Sequence, residues 1–157
     1  MSNGELEKRI QLLEDREAIK ELRARYCWTV DEGKYEEFLN LFTDDVDCDF
    51  GSLGTFKGKA EWRKFVYETI PVFFSKMRHL IHNESTELEG GQAKGRAYFE
   101  FVGIRQGESF VGGGHYEHKY SKIDGQWRFN AIKAVIYYMA PLKEGWAKGS
   151  DYCGLMI

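Results

Sequence analysis

Two side chains far apart in the sequence, Asp31 and His79, are the ones best suited to move a proton. A carboxylate that hydrogen-bonds an imidazole fixes its tautomer and favours its protonated form, which makes the ring a usable general base near neutral pH. Brought together in one pocket, the pair would serve proton-transfer chemistry. As residues alone they also fit a plainer reading, in which Asp31 solvates a helix end and His79 is a satisfied core histidine.

From Glu5 to Glu32 a charged face alternates with Ile19, Leu22, Tyr26 and Val30 at helical spacing, and Gly33 is placed as a C-terminal stop. Asp31 therefore ends a first helix, beside Cys27 and off the main apolar stripe. Tyr35, Phe38, Leu39 and Phe42 predict a short second helix that stops near Thr43-Asp44-Asp45. Val46 to Phe50 alternates and predicts a strand before the turn-rich stretch 51–54. After Gly58 a third helix carries Trp62, Phe65, Val66 and Thr69, and is expected to break at Ile70-Pro71.

From Met77 onward the pattern becomes β-type, with strands over 77–88, 93–105, 108–122 and 126–139. Turn signals at Gly90-Gly91, Gln106-Gly107 and Asp124-Gly125 separate them, and His79 lies near the start of the first. Three helices followed by an antiparallel meander predict an α+β fold. A curved sheet must cover one apolar face, the preceding helices are the available cover, and a cone with a cavity between sheet and helices follows.

The 157 residues read as a single domain, 1–157, without repeats or a linker. A net charge of -3 with dispersed Lys and Arg forms no basic stripe, which argues against nucleic acid as a partner. No run approaches the ~20 apolar residues of a membrane span and the charged N-terminus resembles no secretory signal, so a cytoplasmic protein without membrane association is expected. Cys27, Cys48 and Cys153 lack C-x-x-C spacing and read as reduced, partly buried thiols.

His79 with His82, and His115 with His118, have H-x-x-H spacing, but odd separations in a strand point side chains to opposite faces, so no metal site is expected. His82, His115 and His118 are expected at the surface, an interface or the pocket rim. His115 is kept as a possible second pocket group because it follows Gly112-Gly113-Gly114, where backbone can approach a ligand closely. The tail from Pro141 to Ile157, with Trp146, Tyr152 and Leu155-Met156-Ile157, is too apolar for a free end and is expected to cover the cavity mouth or pack on a neighbouring subunit.

The order of Tyr26-x4-Asp31, Gly54-Thr55-Phe56-Lys57-Gly58, Arg78-His79, and Gly113-Gly114 leading through Tyr120 to Phe129 resembles the SnoaL-like branch of the NTF2-like superfamily over nearly the whole chain. Within that branch the sequence looks most like lindane dehydrochlorinase, scytalone dehydratase and bile acid 7α-dehydratase, which are cofactor-free lyases built as α+β cones and mostly trimeric. The resemblance implies that Asp31 and His79 form a dyad, that no cofactor is needed, and that the chain is a homo-oligomer, with a trimer favoured and a dimer possible. Tyr26 matches a pocket tyrosine of the bile acid enzyme. Elsewhere the chain departs from the pattern: Val30 and Phe50 stand where pocket phenols are expected, Gly103 and Tyr116 where scytalone dehydratase has a histidine and an asparagine, and Ala131 and Ile136 where relatives bring an arginine.

The expected activity is that of a cofactor-independent dehydratase or dehydrohalogenase. His79 would take a proton from a small hydrophobic, cyclic molecule while Asp31 orients the ring. Candidate substrate-binding residues are Tyr26, Phe50, Tyr98, His115, Tyr116 and Lys133. Of these Tyr26, Tyr98, Tyr116 and Lys133 could donate to a developing charge. Trp28, Trp62 and Met139 are further candidates for the pocket wall, with core packing the simpler account of each. A non-catalytic ligand-binding or assembly module of the same fold, and an isomerase or cyclase using the same base, are the alternatives.

Overall fold

The first helix is set by its two ends and one stripe. In the computed structural model, which describes residues 2–145, α1 runs over Asn3–Asp31. Ser2 and Glu5 form a reciprocal capping box at its start. Gly33, at φ +70°, takes the left-handed conformation that lets the chain leave its end. Ile19, Leu22, Tyr26 and Val30 are all buried against the rest of the fold, as their spacing predicts.

The second helix is shorter than its stripe suggests. α2 spans Tyr35–Leu39, and Phe42 already belongs to β1, Phe42–Asp49, so the strand expected over Val46 to Phe50 begins four residues earlier. Phe42 is drawn into the sheet by its parallel pairing with Phe129, whose N–H donates to the Leu41 carbonyl; tertiary pairing overrides a short helical stripe. A single 3-10 turn at Gly51–Leu53, the short β2 at Thr55–Lys57 and α3 at Gly58–Glu68 follow. Helical structure then does not stop at Pro71. The ring sits in the first turn of the short α4, Ile70–Phe73, where a missing N–H costs nothing.

The meander consists of β3 (Lys76–Glu89), β4 (Gln92–Arg105), β5 (Glu108–Ile123) and β6 (Gln126–Pro141). The six strands are ordered β2-β1-β6-β5-β4-β3, antiparallel except for β1 beside β6. On one face Phe99 and Phe101 of β4, Tyr116 and Tyr120 of β5, and Phe129, Ile132 and Ala134 of β6 are buried beneath α1 and the helices that follow it. This is an α+β, NTF2-like cone. Among the described residues no helix is long and apolar enough to cross a membrane. The tail residues 146–157, and with them Trp146, Tyr152 and Cys153, lie outside the described residues.

Candidate active site

The end of α1 and the start of β3 meet. His79 Nδ1 lies 2.7 Å from Asp31 Oδ1, and the His79 backbone N–H donates to the other carboxylate oxygen at 2.8 Å. Both oxygens are thus engaged by one residue, which fixes the imidazole's orientation and leaves Nε2 as its outward nitrogen. The side chains are well buried, 13% exposed for His79 and 5% for Asp31. The ring is edged by Phe101 at 5.1 Å and Tyr26 at 6.4 Å between centroids.

His79 lines a cavity of about 100 Å³ between the sheet and the helices. Its walls are aromatic and aliphatic: Trp62 and Phe65 of α3, Phe73 and Phe74, Phe99 and Phe101 of β4, with Met139 at the far end of β6. Asp31 stands behind this wall, in an outer groove with Cys27, Trp28 and Arg78, and His79 lines both spaces. The dyad therefore bridges an apolar interior and the surface. Cys27 beside it stays a thiol, since burial and then the Asp31 charge push it up to about 12.

Few groups besides the imidazole could address a polar guest. Tyr26 and Tyr116 line the cavity with ring centroids 6.0 Å apart, and burial holds both phenols above the ordinary tyrosine value, so both remain hydrogen donors. Trp62 is 1% exposed and stacks on Phe50 and on Phe65, and its indole N–H is buried without a hydrogen-bond partner among the described residues. Phe50 lines the same wall. A buried unpaired donor is costly in a core and useful in a binding site.

Three of the expected substrate contacts are elsewhere. Tyr98, His115 and Lys133 lie on the outer face of the sheet, because Phe99, Tyr116 and Ala134, one position along each strand, take the inward places. Tyr98 sits opposite His115 across β4 and β5, and His115 Nδ1 is 2.6 Å from the Tyr137 hydroxyl. The glycine run before His115 admits a neighbouring strand and not a ligand: a Cβ on Gly114 would lie 2.0 Å from the Val135 carbonyl, where β6 bulges.

His118 is also not at a surface or rim. It is buried among Tyr116, Tyr120 and Phe129, and burial followed by the charge of Arg23 pushes it well below the ordinary imidazole value. Trp28 is 64% exposed on α1, off the stripe of Tyr26 and Val30, and does not line the cavity, whereas Trp62 and Met139 do. Sequence reading missed Phe73, Phe74, Phe99 and Phe101 as wall residues; the strand alternation carried the signal for the last two.

An α+β cone with a carboxylate–imidazole pair set in the wall of an aromatic cavity defines the class. The SnoaL-like domain model matches residues 11–133, and the chain belongs to that family. It is 26% identical over 124 residues to an uncharacterised protein of Mycobacterium tuberculosis, a match that covers 74% of this chain and 81% of that one. Its fold is similar to that of a hexachlorocyclohexane dehydrochlorinase, LinA type 2, with a TM-score of 0.80 at 20% identity over 84% of this chain and 91% of the other. A protein of Novosphingobium aromaticivorans assigned as a scytalone dehydratase superposes with a TM-score of 0.76 at 23% identity, covering 83% and 89%.

Proposed function

We propose that this protein is a cofactor-independent lyase that removes a proton from carbon with His79 and expels a leaving group from the adjacent carbon of a small hydrophobic ring compound. The observation that carries this reading is the 2.7 Å contact between Asp31 and a His79 ring that opens on an apolar cavity. In the reaction Nε2 of His79 takes the proton, the C–H electron pair becomes the new C=C bond, and the leaving group departs with its bonding pair. Asp31 stabilises the imidazolium so formed. A halide leaves as the anion, while a hydroxyl needs a proton, for which Tyr26, Tyr116 and the Trp62 indole are the nearby donors. Likeness of fold to a dehydrochlorinase and to a protein assigned as a scytalone dehydratase supports elimination as the reaction type.

The apolar walls favour an uncharged guest, since an ion here would lose its hydration without a partner. Phe50, standing where the related dehydratases are expected to have a phenol, favours a second reading in which the cavity binds a ligand without turning it over. Incubating the wild type and His79→Ala with hydroxylated and halogenated ring compounds, and following alkene absorbance and halide release, separates them. Elimination by the wild type that drops about 10²–10⁴-fold in His79→Ala is the expected result. Equal rates remove His79 as the base, and tight binding without turnover by the wild type favours the binder.

A further inference from the structure

At ~1.5 Å per residue α1 is about 43 Å long, yet its buried residues begin only at Asp15. The half that projects before Asp15 carries Leu6, Ile10 and Leu13, which are 44%, 46% and 67% exposed. A stripe of this kind on a charged helix is an unfilled contact. We infer that this end of α1 pairs side by side, in parallel, with the same segment of a second copy of the chain, forming a short two-stranded coiled coil.

Steps of four and then three place Leu6, Ile10 and Leu13 at the d, a and d positions of a heptad. Isoleucine at a with leucine at d favours two strands over three or four. In the same frame Glu7, Glu14 and Glu21 fall at e, and Arg9 and Arg16 fall at g. In a parallel pair each g residue faces the e residue five positions further along the other helix, so Arg9 meets the partner's Glu14 and Arg16 meets the partner's Glu21. An antiparallel pair would set arginine against arginine and glutamate against glutamate. Charge thus selects both the occupant and its direction.

The frame also agrees with how the helix packs. Asp15, Ile19, Leu22 and Tyr26, all buried in the chain's own fold, fall at f and c, on the side away from the a/d seam. Two copies can therefore join along the seam with their bodies on the outside. Glu17 occupies the next a position and is exposed, which ends the apolar seam after Leu13 and keeps the paired segment short. The seam lies about 30 Å along the helix from Asp31, so the pairing stands apart from the chemistry proposed above.

Sedimentation of the full chain at tens of micromolar tests the inference. The Ile10→Lys, Leu13→Lys double variant changes only exposed positions. Its particle is expected to have half the mass of the wild type, with an unchanged circular dichroism spectrum and Tm. Equal masses for the two overturn the proposal. Orientation is read by oxidising single cysteines in a Cys153→Ser background, since Cys27 and Cys48 are buried. Leu13→Cys is expected to crosslink to a dimer. Crosslinking by Ile10→Cys, near the middle of the seam, without any by Leu13→Cys would overturn the parallel arrangement.

Discussion

The two ends of the same concave sheet are filled in opposite ways. At one end the Arg23 guanidinium, 3% exposed, donates to the Tyr120 hydroxyl at 2.7 Å, to Glu84 at 2.5 Å, to the Ser85 carbonyl at 3.1 Å and to Thr86 at 2.7 Å. Gly95 has no side chain there because a Cβ would lie 2.4 Å from Arg23. Nearby, Asp15 accepts from Lys122 at 2.7 Å and from the Trp127 indole at 2.9 Å. At the other end His79, Tyr26, Tyr116 and Trp62 border the apolar cavity. The fold thus anchors α1 with polar contacts at the closed end, while the open end holds the dyad beside an apolar cavity.

Replacing the guanidinium would break that contrast most severely. Arg23→Met leaves Glu84, Tyr120 and Thr86 without their donor, and a loss of about 3 kcal/mol in unfolding free energy is expected from denaturant titration. Tyr116→Phe, at the open end, removes only a hydroxyl beside a cavity. It should cost about 1 kcal/mol or less in stability while lowering turnover of a hydroxylated substrate more than that of a halogenated one, a ratio that steady-state kinetics reads.

Acid acts on the closed end, where the fold shifts the titration of both His118 and Asp15. Burial, and then Arg23, keep His118 neutral, so below about pH 6.5 the unfolded chain takes up a proton that the folded chain refuses, and stability falls as pH falls. Burial alone would raise the Asp15 carboxyl, but its hydrogen bonds from Lys122 and Trp127 outweigh that and hold it low, so its contribution is lost at still lower pH. Thermal melts between pH 7 and pH 5 should slope by up to about 1.4 kcal/mol per pH unit from His118 alone, and His118→Phe should flatten that slope. The smallest effects belong to the outer face. Tyr98→Ala and Lys133→Ala are expected to change stability by within about 0.5 kcal/mol and leave kcat/KM of any substrate unaltered, and a large loss of turnover in either would return those residues to the site.

Much of this architecture is written in local pattern. The buried stripe of α1, the stop at Gly33, the alternation of β4 and the hairpin at Asp124-Gly125 each follow from spacing or turn chemistry within a few residues. At Phe42 a distant partner overrides the local pattern, since Phe129 pairs with it in the sheet, whereas His118 is a core residue because it alternates onto the inward face of β5 with Tyr116 and Tyr120. Tyr98, His115 and Lys133 face outward by the same period-two alternation that turns Phe99, Tyr116 and Ala134 inward.

For this protein the residue order alone determined the succession of helices and strands, the apolar faces and the two residue types able to share a proton, because those depend on periodicities of a few residues. The tertiary structure decided that Asp31 and His79 lie 2.7 Å apart, which aromatic side chains wall the cavity, and that Arg23 pins the first helix to the sheet. Those facts depend on contacts between residues tens of positions apart, whose geometry is set only when the sheet curves and the helix closes over it.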